Sequence, residues 1–289
     1  GLSETLFMET VRVGRKRLAG RRLLPHEFLL DRVLERLVRK KIQARLGGQL
    51  KYFISGGAAL NPEIGSFFMA LGVKLLQGYG QTEASPVISA NRPNKIKIET
   101  VGPPVAGVEV RFADDGEILV RGDLLMKGYW RDEHSTSAAI QDGWLHTGDI
   151  GSCDEDGYIT ITGRKKEIIV NSGGENIVPS RVEALLTIEP EIEQAMVDGD
   201  QRPWLAAVIV PSAEARETAE SKEALRLLIA NTVERANGRL SQIERVRRFV
   251  IADENFSTEN SQLTATLKVR RHIVKAVYQD QIAALYNRQ

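Results

Sequence analysis

The sequence predicts a parallel α/β layer, a small antiparallel β subdomain and a separate α+β domain. Three observations carry this. Residues 50–80 run strand, small-residue turn, helix, strand, small-residue turn, the rhythm of parallel α/β architecture. From about Val101 short alternating segments are separated by Asp/Gly turns, which is hairpin grammar. Beyond Gly163 helices and strands mix over roughly the last 125 residues. We expect segments at 1–100, 101–163 and 164–289.

Residues 3–46 are helix-rich. Leu30, Val33, Leu34, Leu37, Val38 and Ile42 recur at three- and four-residue spacing, with Arg32, Arg36, Arg39, Lys40 and Arg45 on the remaining surface. This predicts an amphipathic helix packed on a domain with its charged face in water. Residues 1–50 hold twelve Lys/Arg and five Asp/Glu, an excess of 12 − 5 = 7. A basic amphipathic helix also suits an anionic lipid surface, so peripheral membrane contact is the second reading.

Leu50–Leu60 reads as a strand ending in Ser55-Gly56-Gly57-Ala58. Asn61 and Pro62 then suit the cap and first position of a helix. The apolar run Val73-Lys74-Leu75-Leu76 reads as a second buried strand, turning at Gly78-Tyr79-Gly80-Gln81-Thr82-Glu83. Ligands of such layers gather beyond the carboxyl ends of the strands, so both small-residue stretches are expected at one edge. Two glycines around an aromatic let backbone approach a ligand beside a flat ring. A hydroxyl and a carboxylate come next in a loop, as a phosphate-plus-cation site needs.

Val108–Phe112 and Glu117–Val120 flank the hairpin turn Asp114-Asp115-Gly116, and Tyr158–Thr162 comes after a turn at Asp156-Gly157. Between these strands lies Gly143–Asp149. A charged run, Gly163–Glu167, marks the domain boundary. Beyond it we expect a strand at Ile168–Val170, the loop Asn171–Asn176, a helix from Pro179, and strands near 195–198 and 204–210. Helix over much of 213–238, a strand at 247–251 and a last helix from about Val269 complete the domain. Lys268 falls just before that helix, after Thr264-Ala265-Thr266-Leu267.

Bulk properties exclude several classes. The net charge of +1 gives no bulk reason for nucleic-acid binding. One cysteine, Cys153, excludes an internal disulfide and suits a reducing compartment. With no adjacent histidine it reads as an incidental thiol. His26, His134, His146 and His272 show no metal spacing, and no Gly-x-Ser-x-Gly elbow occurs. No apolar run reaches the about 18 residues of a membrane-spanning helix, and the opening residues lack a signal-peptide pattern. The expectation is a soluble cytoplasmic protein.

The ordered set Ser55-Gly56-Gly57-Ala58, Gly78–Glu83, Thr147-Gly148-Asp149, Gly163–Lys166, Ser172–Asn176 and Thr266-Leu267-Lys268 closely resembles the adenylate-forming superfamily. Its wording is most similar to the long-chain fatty acyl-CoA synthetase branch. The resemblance spans about 50–270. It implies a ligase that activates a fatty acid with ATP to acyl-AMP and pyrophosphate, then passes the acyl group to coenzyme A. The family's Ser/Thr/Gly-rich phosphate loop would lie upstream of Gly1 and has no counterpart here, so we expect the C-terminal half of a synthetase, inactive alone.

The resemblance also implies roles. Gly56, Gly57, Ala58, Gly78, Tyr79 and Gly80 would border adenine, Thr82 would meet a phosphate, and Glu83 would ligate Mg²⁺. Asp149 would accept from the ribose hydroxyls, with Arg164 reaching the ribose or phosphate. Lys268 would bridge the substrate carboxylate and α-phosphate. Lys166 would be the hinge, where many relatives carry aspartate. Gly173 and Gly174 would face the pantetheine tunnel. The alternatives are another carboxylate-adenylating ligase or a truncated, non-catalytic binding module.

Overall fold

In the computed structural model, which describes residues 1–58 and 60–287, the chain divides into two compact units, Gly1–Thr162 and Gly163–Gln289.

Unit 1 opens with α1 (Leu2–Leu18) and α2 (Pro25–Leu34). Their contact is ionic. Glu27 is buried and receives Lys16 Nζ at 2.5 Å, Arg12 Nη1 at 3.0 Å and the Leu24 amide at 2.9 Å. The helix then continues through a π-helical turn, Glu35–Arg39, into α3 (Lys40–Arg45). This turn corrects the sequence expectation. A π turn adds a residue to the ladder and so rotates the later residues of the helix against a 3.6-residue stripe. Arg39, expected in water, is 3 % exposed; it donates to the Ala70 carbonyl at 2.9 Å and to Asp31 at 2.7 Å. Leu37, within the turn, instead faces outward, as does Val33 ahead of it.

Strand β1 (Phe53–Ser55) leads to α4 (Pro62–Ala70). Asn61 caps α4 through its side-chain oxygen, which accepts from Glu63 N at 2.8 Å, and Pro62 supplies a preset φ with no donor to lose. Helix α1 lies close against α4: a Cβ on Gly14 would stand 2.6 Å from that of Ala70. Strand β2 (Leu75–Tyr79) pairs parallel with β1, Ser55 opposite Gln77, and antiparallel with β3 (Ser89–Ala90). Gly78 and Tyr79, expected in the turn, are therefore the last strand residues. Hydrogen-bonding partners on β1 and β3 extend the strand past its apolar run.

The antiparallel sheet of unit 1 contains β4 (Glu109–Phe112), β5 (Glu117–Arg121), β6 (Ile140–Gln141), β7 (Trp144–Cys153) and β8 (Ile159–Arg164), whose last two residues fall past the unit boundary. The order is β4-β5-β7-β6, with β8 also on β7. A helix not expected from the sequence, α5 (Glu133–Ala139), is capped by Asp132, which accepts from the Ser135 amide at 2.9 Å. Tyr79, Ala84 and Ile88 pack with Ile118, Val120, Leu145 and Ile159, joining the two sheets in one core.

In unit 2, β9 (Ile169–Val170) and β10 (Asn176–Ile177) form a hairpin that leads into α6 (Pro179–Leu186). Strand β12 (Leu205–Pro211) sits between β11 (Ile192–Asp198), antiparallel, and β13 (Val246–Ile251), parallel. All seven β12 residues are buried, as a strand covered on both faces requires. Helices α6 and α8 (Lys222–Asn237) cover one face, with α7 (Ala213–Thr218) preceding α8. Helices α9 (Arg271–Val277) and α10 (Gln279–Asn287) cover the other. The last helix thus starts two residues after the expected Val269 and breaks at Tyr278.

Candidate functional site

The parallel register brings the carboxyl ends of β1 and β2 together. A Cβ on Gly56 would lie 3.3 Å from the Gly78 carbonyl, and one on Gly78 would lie 3.3 Å from the Ser89 carbonyl. Gly57 is next, with φ +82°, a conformation that favours glycine, and Ala58 is exposed beside it. Gly80 is needed for a different reason than the sequence suggested. Its Cβ would fall 1.6 Å from the Pro86 carbonyl oxygen, so packing of the 80–87 loop on itself demands glycine whatever binds nearby.

Tyr79 and Asp149, 70 positions apart, meet. The phenol donates to Asp149 Oδ2 at 2.7 Å, with Tyr79 8 % and Asp149 4 % exposed. Asp149 is a strand residue: Gly148 before it, at φ +70°, is accommodated inside β7. Its neighbours hold it. Thr147 Oγ1 donates to the Ile118 carbonyl at 2.7 Å and accepts from the Asp149 amide at 3.1 Å. The Gly148 amide donates to Glu117 at 2.9 Å. The Tyr79 ring is packed in the core, so most of the flat face expected for a ligand is already covered by protein.

Thr82 and Glu83 lie in a 3₁₀ turn, Thr82–Ala84, where a loop was expected. Thr82 is exposed and Glu83 half-buried. Two contacts grip Glu83 from the segment before α5: the Met126 amide donates to its carbonyl at 2.8 Å, and the Tyr129 hydroxyl donates to Oε1 at 2.9 Å. Burial, then the Glu83 carboxylate, pushes the Tyr129 phenol above its usual pKa. Tyr129 was missed from sequence because only the fold brings it to Glu83. Gln81 was missed as well; its buried Nε2 has no hydrogen-bond partner among the described residues, a costly state for an amide donor.

A lone carboxylate with a neighbouring hydroxyl fits Mg²⁺, which commonly takes one or two carboxylates and completes its shell with phosphate and water. No group of three or more His, Cys, Asp or Glu residues that could hold a metal occurs among the described residues. Cys153 is an exposed free thiol at the end of β7.

The remaining expected site residues fall in unit 2. Arg164 ends β8 and is exposed, and Lys166 is exposed in the 3₁₀ turn Lys165–Glu167. Gly173 and Gly174 form the tip of the β9–β10 turn, organised by Asn171. Its Oδ1 accepts from the amides of Gly173 and Glu175, both at 2.9 Å, and Gly174 takes φ +79°. Lys268 is exposed at the close of a tight turn. The Thr264 amide donates to the Lys268 carbonyl at 2.8 Å, and the Lys268 amide donates to Thr264 Oγ1 at 3.0 Å.

Residues 26–130 match the family model described as AMP-binding enzyme, and residues 166–289 match that of the AMP-binding enzyme C-terminal domain. The first contains the β1 and β2 ends, Glu83 and Tyr129; the second contains Lys166, Gly173, Gly174 and Lys268. The chain is 41% identical over 272 residues to a long-chain-fatty-acid–CoA ligase of Mycobacterium bovis, covering 89% of this chain and 45% of that protein. It is 34% identical over 283 residues to a chloroplastic long-chain-fatty-acid–[acyl-carrier-protein] ligase of Arabidopsis thaliana, covering 89% and 38%. It therefore spans about half the length, or less, of these relatives. Among solved structures, the adenylation and carrier didomain of a carboxylic acid reductase from Segniliparus rugosus, in complex with AMP, aligns with TM-score 0.73 and 26% identity, over 98% of this chain and 40% of that one. With both family models matched in order and the relatives in agreement, the chain belongs to the AMP-binding enzyme family.

Proposed function

We propose that the protein carrying this chain is a long-chain fatty acid–CoA ligase using ATP and Mg²⁺. The observation that carries the site reading is the buried Tyr79–Asp149 hydrogen bond, which joins two of the recognised motifs beside the carboxyl ends of β1 and β2. The substrate class is supported by the named activity of the mycobacterial relative.

In the first step a fatty-acid carboxylate oxygen attacks the α-phosphorus of ATP, and the bond to pyrophosphate breaks. In the second the coenzyme A sulfur attacks the acyl carbon, loses its proton, and AMP leaves. The first step brings two anions together, so it needs fixed positive charge and oriented donors. Gly56, Gly57, Ala58, Gly78, Tyr79 and Gly80 border the adenine, with backbone on one side and the Tyr79 edge on the other. Asp149 accepts from ribose hydroxyls while Tyr79 holds one of its oxygens, and Arg164 serves the same ribose or the phosphates. Thr82 donates to phosphate, and the orphan amide of Gln81 beside it favours a ligand acceptor there. Glu83, steadied by Tyr129, would hold Mg²⁺, whose bound charge offsets that of the phosphates.

Lys268 bridges the attacking carboxylate and the α-phosphate as an ammonium, a compact charge on a flexible stem. Lys166 is the hinge between residues 1–163 and the mobile domain 164–289, in keeping with alternation between half-reactions. Gly173 and Gly174 leave room for pantetheine. Exposed Leu24, Phe28, Leu29, Val33 and Leu37 beside Arg32, Arg36 and Lys40 favour a peripheral contact with an anionic cytoplasmic membrane face. Flotation with anionic vesicles tests that contact, and equal recovery with neutral vesicles would refute it. No helix among the described residues is long and apolar enough to cross a membrane.

The first test offers this chain ATP, Mg²⁺, coenzyme A and acids from acetate to oleate. We expect no turnover from the chain alone, and turnover would overturn the expectation of a missing phosphate loop. In the full-length protein, Lys268→Ala should nearly abolish adenylate formation and spare thioester formation from added acyl-AMP. Equal loss of both half-reactions would remove that role from Lys268.

A further inference from the structure

Lys268 does not stand on a loose loop. Besides the two Thr264–Lys268 hydrogen bonds, the Leu267 amide donates to the Thr264 carbonyl and the Arg270 amide donates to the Gln262 carbonyl, each at 2.8 Å. Leu263 and Val269 bridge across the base of the turn. The outgoing arm runs directly into α9, whose first residue is Arg271.

The Arg271 guanidinium contacts three elements. Nη2 donates to Glu183 on α6, and Nη1 donates to the Val197 carbonyl on β11 at 3.3 Å. The other Glu183 oxygen accepts from the Val197 amide at 2.7 Å, which closes a ring of contacts. Nε stands 3.5 Å from Glu167 in the Lys165–Glu167 turn. Arg271 and Glu183 are both largely shielded from water, where truncating one partner of a charge pair is costly. A planar guanidinium with donors on several edges is pre-organised to hold three elements at fixed angles, whereas an ammonium on a flexible stem is not.

We propose that Arg271 is a positioning residue that couples the Lys268 turn to the Lys165–Glu167 turn, so that backbone rotation at Lys166 is transmitted to Lys268. The coupling rests on the reading of Lys166 as the hinge and Lys268 as the adenylating lysine. It assigns Arg271 the task of setting the lysine's position in step with the hinge. Glu183 and Val197 supply the fixed anchor, and Glu167 supplies the connection that reports on the turn.

Amide hydrogen exchange on the whole chain, measured by mass spectrometry, tests this without catalysis. Glu167→Gln should speed exchange over 264–270 by about three-fold, the scale of a partly exposed ion pair, although it changes no residue of that turn. Arg271→Gln should speed exchange over both 164–168 and 264–270 and leave β12 at wild-type rates. Arg271→Lys should recover only part of the protection. Adding Glu167→Gln to Arg271→Gln should produce no further change, because the shared contact is already gone. Unchanged exchange over 264–270 in Glu167→Gln overturns the proposal, as does a uniform rise across the unit in Arg271→Gln. Should Arg271→Gln fail to fold, the Glu167→Gln result decides alone. Failure of the catalytic reading is distinguishable: Lys268→Ala would then leave adenylation intact while the exchange coupling persisted.

Discussion

Replacing Tyr79 with phenylalanine keeps the ring that packs against Ala84, Ile88 and Ile118 and removes a single oxygen. That oxygen donates to Asp149 at 2.7 Å, and both residues are almost fully buried. The hydrogen bond also crosses from the β1-β2-β3 sheet to the five-stranded sheet. A hydrogen bond to a charged group contributes about 1.5–3 kcal/mol. With the ring's burial unchanged, a loss of about 2 kcal/mol is expected for unit 1. At an m value near about 2 kcal/mol/M this lowers the urea midpoint by about 1 M with m unchanged. A Trp204→Phe background leaves Trp144, buried on β7 under the Arg111 and Arg121 guanidiniums, as the informative indole for unit 1, since Trp130 is 86 % exposed. A midpoint shift below about 0.2 M would show that the pair does not join the sheets, and the carrying observation of the site would lose its energetic basis. The same variant should weaken AMP binding by the full-length protein, because Asp149 would be less firmly held.

Gly80→Ala should be far more damaging than Gly57→Ala. The first forces a Cβ to within 1.6 Å of backbone at Pro86, while the second meets nothing within 4 Å and carries only the about 1–2 kcal/mol cost of left-handed backbone. Thermal unfolding ranks the two, and equal losses would refute the packing account. At low pH the α1–α2 contact should fail early. Lys16, then the Leu24 amide and Arg12, hold the Glu27 carboxyl down to about 2, below its usual 4.5. Because the folded pKa is the lower one, this stabilisation is complete above about 4.5 and is lost as pH falls toward 2. Helical circular dichroism across that window should fall in the wild type, and Glu27→Gln should flatten that part of the profile.

Much of the fold was legible because local rules and tertiary packing agree. Asn61-Pro62 starts a helix for reasons contained in two residues, and Asp115-Gly116 turns a hairpin between alternating strands whatever they pack on. The fully apolar stretch from Leu205 announces a strand covered on both faces. Where the two levels compete, the tertiary level decides. A stripe at 3.6-residue spacing over 30–42 assumes an unbroken α ladder; the π turn at Glu35–Arg39 breaks that assumption and places a guanidinium indoors, where Asp31 and the Ala70 carbonyl satisfy it.

The site divides in the same way. Residue types marked Glu83 and the glycines around Tyr79, because cation binding and close backbone approach restrict which side chains serve, while Asp149 and Lys268 were marked by the resemblance of the ordered motifs to the adenylate-forming superfamily. Which groups meet was not contained in them. The Tyr79–Asp149 pair spans 70 positions, Tyr129–Glu83 spans 46, and Arg271–Glu183 spans 88. Contacts of that separation depend on sheet register and helix docking, which are set by the burial of dozens of side chains together and leave no local pattern to read.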